Sequence, residues 1–269
     1  MNKTKRIIEP DYLEQSKSMI CGILLDVTYF INNNKQISSD EIQKYIKIID
    51  SFIRLFNDAH ADSDIFLILY ASESILIQWN EMMNVSDEMI KAIKQLLSHK
   101  TITNVPNLSS AMSLSLTRIN KKHLQQPSIQ KKLIVISTPF EYSPKFIPLM
   151  NCLFGAQKIE ITIDCIVLSE NNSHCTFCQQ ASYLTKGVYN IATLESLLPR
   201  LLSNNIVDCK YENVMKVTGN NDFDVDWKLW CFDCQKPIEA GYVCSSCLAI
   251  FCKKQEQCQI CGVKFDHTE

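Results

Sequence analysis

Met19-Ile20-Cys21-Gly22-Ile23-Leu24-Leu25-Asp26 is an unbroken apolar run that ends on a carboxylate. A strand buried on both faces reads this way, whereas a strand with one wet face alternates. Three further runs follow the same pattern: Asp64–Ala71 (DIFLILYA), Lys131–Thr138 (KKLIVIST) and Glu160–Leu168 (EITIDCIVL). Ser74–Trp79 reads as a short strand hairpinned to the second run, and Gly187–Ala192 as a last strand. Between them the apolar period changes to that of a helix. From about Ser39 to His60, Ile42, Tyr45, Ile46, Ile49, Phe52, Ile53 and Phe56 form one stripe. Ser38 and Glu41 fit a capping box at its start. Ser86–His99, Leu108–Leu124, Ser143–Lys158, His174–Lys186 and Thr193–Ser203 read as further helices. Pro144 suits the first turn of its helix, and Pro148, about one turn in, is expected to bend it. Gly187 is expected to cap the helix before it. Strands separated by such helices predict a doubly wound, mostly parallel α/β sheet over residues 19–203.

The composition fits this reading. A chain of 269 residues with 46% apolar residues can bury a full core. The net charge of −2 argues against holding duplex DNA by its phosphates. Lys3, Lys5 and Arg6 are followed at once by Glu9, Pro10 and Asp11, with no secretory apolar region, and no run approaches a membrane span. An intracellular protein with no membrane partner is expected. Residues 204–230 read as a linker, polar and carrying Asp208, Glu212, Asp222, Asp224 and Asp226.

Beyond the linker, residues 231–265 are a different kind of sequence. They hold Cys231-x2-Cys234, Cys244-x2-Cys247, Cys252 and Cys258-x2-Cys261, seven of the chain's thirteen cysteines. A Cys-x2-Cys turn lets two thiolates face one ion, and two such turns complete a tetrahedral Zn2+ site. In a reducing compartment clustered cysteines point to zinc over disulfides. Two groupings compete. In one, Cys231, Cys234, Cys244 and Cys247 share a single ion. In the cross-braced grouping, as in RING-like modules, Cys244, Cys247, Cys258 and Cys261 form the complete site. Cys231, Cys234 and Cys252 are then left one ligand short. His267 lies too far along the chain to serve as an eighth ligand. One structural ion is the expectation, and two are compatible with the count. Lys236, Lys253 and Lys254 balance Asp233, Glu239 and Glu256, so no phosphate-binding face is expected. Tyr242, Val243, Leu248, Ile250 and Phe251 are candidates for a protein contact.

No catalytic constellation stands out, and a non-enzymatic protein is expected. The six glycines are scattered and make no phosphate loop. His174, Cys175 and Cys178 cluster at the start of a helix, but buried structural cysteines are the preferred reading, as for Cys21, Cys152 and Cys165.

Asp26-Val27-Thr28-Tyr29-Phe30 closes the first strand and resembles the Asp-x-Ser-x-Ser turn of von Willebrand A domains. That turn gives Mg2+ one carboxylate and two hydroxyls. Here Thr28 could give one hydroxyl, and Phe30 replaces the other. Ser109 or Ser110 stands where the family draws a further ligand, and Ser137-Thr138-Pro139 offers no aspartate. The fold is expected without Mg2+, Asp26 capping a loop or helix instead.

A closer resemblance lies in the tail. Gly241-Tyr242-Val243-Cys244-Ser245-Ser246-Cys247-Leu248-Ala249-Ile250-Phe251-Cys252 resembles the C-terminal zinc module of the smaller von Willebrand A subunit of TFIIH. Met150–Lys158, Ile163-Asp164, Val167-Leu168 and Gly187-Val188-Tyr189 are similar to other segments of that family. The resemblance implies a non-catalytic TFIIH core subunit, nuclear, serving RNA polymerase II initiation and nucleotide excision repair. It implies docking to the larger von Willebrand A subunit and other core subunits, with no sequence-specific nucleic-acid binding. The chief alternative is a RING-like ubiquitin ligase with a von Willebrand A substrate-binding domain. A proteasomal ubiquitin receptor and a Mg2+-dependent adhesion module are the others.

Overall fold

The computed structural model describes residues 18–30, 39–60, 62–79, 84–98, 106–140, 146–205, 229–234, 236–246 and 249–265. β1 (Met19–Asp26) is central in a sheet that also holds β2 (Ser63–Tyr70), β3 (Ser74–Gln78), β4 (Gln130–Ser137), β5 (Thr162–Leu168) and β6 (Tyr189–Ala192). Their order is β3-β2-β1-β4-β5-β6. All neighbours are parallel except the β2–β3 hairpin. α1 (Ser39–Ala59), α2 (Val85–Ser98) and α6 (Leu197–Asn205) cover one face, and α3 (Leu108–Gln125), α4 (Phe146–Lys158) and α5 (Thr176–Leu184) cover the other.

β1 shows why the apolar run is continuous. Met19, Cys21, Ile23 and Leu25 enter the core under α1, while Ile20 and Leu24 enter the core under α3. The α1 stripe does the same for a helix: Tyr45, Ile46, Ile49, Phe52, Ile53 and Phe56 are all buried. Each such side chain contributes about 1.5–3 kcal/mol by leaving water. Ser38, the expected cap of this helix, lies outside the described residues.

Several boundaries differ from the expectation, for physical reasons. α4 begins at Phe146, and Pro144 lies outside the described residues. Pro148 is therefore the third residue of the helix, where an N–H has no intrahelical acceptor anyway, so the ring removes no hydrogen bond. α6 runs on to Asn205, whose carbonyl lies 3.4 Å from His60 Nε2. Leu229–Trp230, at the end of the expected linker, forms a short strand, β7.

The end of α5 is the clearest correction. The left-handed residue is Lys186 (φ 59°), not Gly187. Lys186 N–H donates to the Tyr183 carbonyl at 3.3 Å and Gly187 N–H to that of Ser182 at 2.8 Å, the pair of bonds that defines a Schellman ending. Gly187 is needed for closeness instead. A Cβ there would sit 2.0 Å from the Ile163 carbonyl oxygen and 2.8 Å from Asp164 Oδ1. Asp164 is itself buried, paired with Lys132 Nζ at 2.9 Å and accepting from Val188 N–H at 2.8 Å. Gly187→Ala is expected to lift this connection off β5 and to destabilise the body by about 3 kcal/mol. The urea midpoint measures it, and an unchanged midpoint would contradict the packing described.

Candidate metal centre and strand-end carboxylate

The sheet order reverses between β1 and β4, since the chain leaves β1 toward β2 and later returns on the opposite side. At such a switch point the strand ends open a crevice in which α/β proteins place ligands. Asp26 ends β1 there and Thr138 follows β4. The carboxylate is fully buried and accepts four hydrogen bonds. Oδ1 takes Thr28 N–H at 2.8 Å and the Thr28 hydroxyl at 2.7 Å. Oδ2 takes Thr138 N–H at 2.9 Å and the Thr138 hydroxyl at 2.7 Å. Asp26 thus caps the 3-10 turn Thr28–Phe30 and ties it to the end of β4. Burial pushes its carboxyl pKa up, against the lowering effect of the bonds from Thr138 and Thr28.

The two hydroxyls best placed to face a cation are turned onto the carboxylate. Phe30 is buried edge-on against Tyr45, with ring centroids 5.2 Å apart. Ser109 donates to Asn107 Oδ1 at 3.1 Å and belongs to the start of α3, not to this network. Thr138 is the partner that sequence reasoning missed. It sought an aspartate after β4, and the usable signal was instead any donor placed after β4, beside the reversal of strand order.

Cys175 and Cys178 are buried at the start of α5, and Cys21 and Cys165 are buried in strands, as core residues. His174 stacks on Tyr189 with centroids 6.3 Å apart.

The cysteine module is built from two small hairpins. β7 pairs with β8 (Pro237–Ile238), and β9 (Tyr242–Val243) pairs with β10 (Ile250–Phe251). A knuckle follows β7, another follows β9, and a third closes the module. Each is shut by the same backbone bond, from the first cysteine's N–H to the carbonyl five residues on. The pairs are Cys231 to Lys236 (3.0 Å), Cys244 to Ala249 (2.8 Å) and Cys258 to Val263 (2.8 Å). Gly262, at φ 75°, supplies the left-handed turn of the third.

Among the described residues the thiols gather in two groups, Cys231 with Cys234 and Cys252, and Cys244 with Cys258 and Cys261. Within each group the sulfurs lie within 4.8 Å of one another, close enough to hold a metal ion. Cys234 and Cys252 Sγ are 3.7 Å apart, as are Cys244 and Cys261 Sγ. A tetrahedron with Zn–S bonds of about 2.3 Å has edges of about 3.8 Å. Cys247 lies outside the described residues, as do Leu248 and His267. The single-ion grouping that joins Cys244 to Cys231 and Cys234 does not match this arrangement. Hairpin geometry explains the cross-brace: β9 delivers Cys244 to one group and its partner strand β10 delivers Cys252 to the other.

Electrostatics prepare the first group for a cation. Burial raises the Cys231 thiol, but the backbone N–H groups of Cys234, Cys252 and Asp233 outweigh it and bring the pKa down to about 7. The Cys252 N–H lies 3.2 Å from Cys231 Sγ. Cys252, hydrogen-bonded to Cys231 and Cys234, is pushed up to about 11. The Cys252 proton is thus held among neighbouring sulfurs, and an ion would displace it.

The module's own core is small: Cys244, Ala249, Phe251 and Cys258, with Phe232, Phe265 and Ile147 of α4 packed against it. Ala249, just before β10, and Phe251 on it are both buried, so Phe251 is not the exposed contact expected, and Ile250 is half-buried. Tyr242 and Val243 are more than half exposed, and Ile260 and Val263 are exposed beside the third knuckle.

The family model described as Transcription factor Tfb4 matches residues 14–262. The General transcription factor IIH subunit 3 of Dictyostelium discoideum is 35% identical over 160 residues, 59% of this chain and 42% of that protein. The chain therefore spans less than half of that relative. The General transcription and DNA repair factor IIH subunit tfb4 of Schizosaccharomyces pombe is 25% identical over 258 residues, 94% of this chain and 84% of that one. A crystal structure of the TFIIH p34 N-terminal domain superposes with a TM-score of 0.54 at 19% identity, covering 69% of this chain and 96% of that one. The sheet, the strand-end carboxylate and the paired cysteines define a von Willebrand A-type body with a cysteine module able to hold metal. The chain belongs to the transcription factor Tfb4 family.

Proposed function

We propose that this chain is a non-catalytic structural subunit of the TFIIH core, nuclear, acting in RNA polymerase II initiation and nucleotide excision repair. Family membership carries the reading, and speaks for it over the RING-like ubiquitin ligase alternative. In this reading the chain divides into a docking body over residues 19–203, a linker over 204–230 and a zinc module over 231–265. Zn2+ is the ion, and Cys231, Cys234, Cys244, Cys247, Cys252, Cys258 and Cys261 are its ligands. The donor set fits: thiolates spaced as in a tetrahedral shell suit structural zinc.

The larger von Willebrand A subunit is the partner, met through the exposed β9 pair Tyr242 and Val243. An exposed aromatic beside a branched aliphatic on a rigid hairpin is the kind of anchor that dominates an interface. The double variant Tyr242→Ala, Val243→Asp is expected to weaken capture of the recombinant larger subunit by roughly 30-fold, equivalent to about 2 kcal/mol. Zinc content should not change, because neither side chain is in the module's core. Capture at wild-type strength would refute this docking surface.

A further inference from the structure

The module has seven cysteines, one fewer than two four-thiol groups need. Cys244, Cys258 and Cys261 have Cys247 available through the second Cys-x2-Cys pair. Cys231, Cys234 and Cys252 have no such counterpart. Three residues after Cys252, where another Cys-x2-Cys pair would carry its second sulfur, stands Gln255. Among the described residues its Oε1 is buried and has no hydrogen-bond partner. A buried amide oxygen left unpaired costs about 1–3 kcal/mol, so it is rare unless something outside the protein's own donors satisfies it. An amide oxygen is an acceptor only, and what it can meet is a donor or a cation.

We propose that Cys231, Cys234, Cys252 and the amide oxygen of Gln255 form a second zinc site of three sulfurs and one oxygen. It rests on the zinc reading of the module given above. Two independent observations carry it: the sequence position of Gln255 repeats the ligand spacing, and its oxygen is the orphan. Zinc accepts oxygen as well as sulfur in a tetrahedral shell. A neutral oxygen completes the shell while adding no fourth negative charge to three thiolates. The exposed Lys253 and Lys254 stand next to it in the chain. Amide oxygen is a weaker donor than thiolate, so this ion exchanges faster than the one at Cys244, Cys258 and Cys261.

Zinc stoichiometry of the full chain by native mass spectrometry, followed by release to a chromophoric chelator, tests the assignment. Wild type should hold two ions that leave in two phases. Gln255→Ala should speed the faster phase at least tenfold or abolish it, leaving the slower phase unchanged. Gln255→Cys should merge the two phases toward the slower one. With Co2+ as the probe, the thiolate charge-transfer absorbance of Gln255→Cys should rise by about one seventh, since seven cobalt–sulfur bonds become eight. Two ions with release unaltered by Gln255→Ala would overturn the proposal. So would a single ion that survives Cys231→Ser and is lost in Cys244→Ser, an outcome that leaves the zinc reading standing. A chain that holds no zinc would sink both.

Discussion

On the zinc reading, Cys244→Ser is expected to strip one ion from the chain and unfold residues 231–265, while the α/β body keeps its melting transition. The size of the effect follows from how little else holds the module. Its buried apolar cluster amounts to Ala249, Phe251 and two of the cysteines themselves. A core of that size cannot offset the entropy of ordering the segment. A structural zinc site contributes on the order of 10 kcal/mol at neutral pH. Cys244 is both a member of the second thiol group and a fully buried part of the core, so serine removes a ligand and leaves a polar atom inside. Capture of the larger subunit should fall to background, because Tyr242 and Val243 precede Cys244 directly. Metal content by native mass spectrometry and far-ultraviolet dichroism of the body give the two readouts. Full zinc occupancy in the variant would refute the ligand assignment.

The second large effect belongs to Asp26. Asp26→Ala leaves the N–H groups of Thr28 and Thr138 buried without acceptors, and only the hydroxyls, 3.3 Å apart, can pair with each other. Two orphaned donors cost about 2–6 kcal/mol, and for a domain of this size that is a fall of roughly 10 °C in melting temperature. Asp26→Asn is informative as well. Each carboxylate oxygen takes one backbone N–H, so an amide, in either orientation, sets its NH2 against one of them. It should lie between alanine and wild type. Wild type should also lose stability as pH rises from the unfolded carboxyl value near 3.8 through the raised folded value, because the folded state binds the proton more tightly over that window. Asp26→Asn removes this slope. Denaturant midpoints across the acid range measure it, and parallel profiles for the two proteins would contradict the buried state of Asp26.

The sheet was legible because burial writes itself locally: DIFLILYA and MICGILLD need no knowledge of their neighbours to read as strands. The α1 stripe is legible for the same reason. What escaped was whatever depends on register. The Asp26–Thr138 bond spans 112 positions and exists only because β4 lies beside β1. Cysteine spacing left two groupings open, since which thiols meet is decided by β9 pairing with β10. Phe251 and Tyr242 were indistinguishable as apolar residues in the sequence, yet one fills the module's core and the other faces solvent. At Gly187 the sequence suggested conformational freedom, and the structure demanded a missing methyl.

The brace at Asp26 also bears on signalling. A cation entering that crevice would first have to break four short hydrogen bonds in a dry site, while shedding waters that Mg2+ gives up reluctantly. Shape changes in a two-state protein are driven only by ligands that bind one state better than the other. At this strand end β1 and β4 are riveted by internal donors, and a cation would have to compete with them. The shape of the body at this end is then set once, when the chain folds. A large assembly can use such a part as a gauge block.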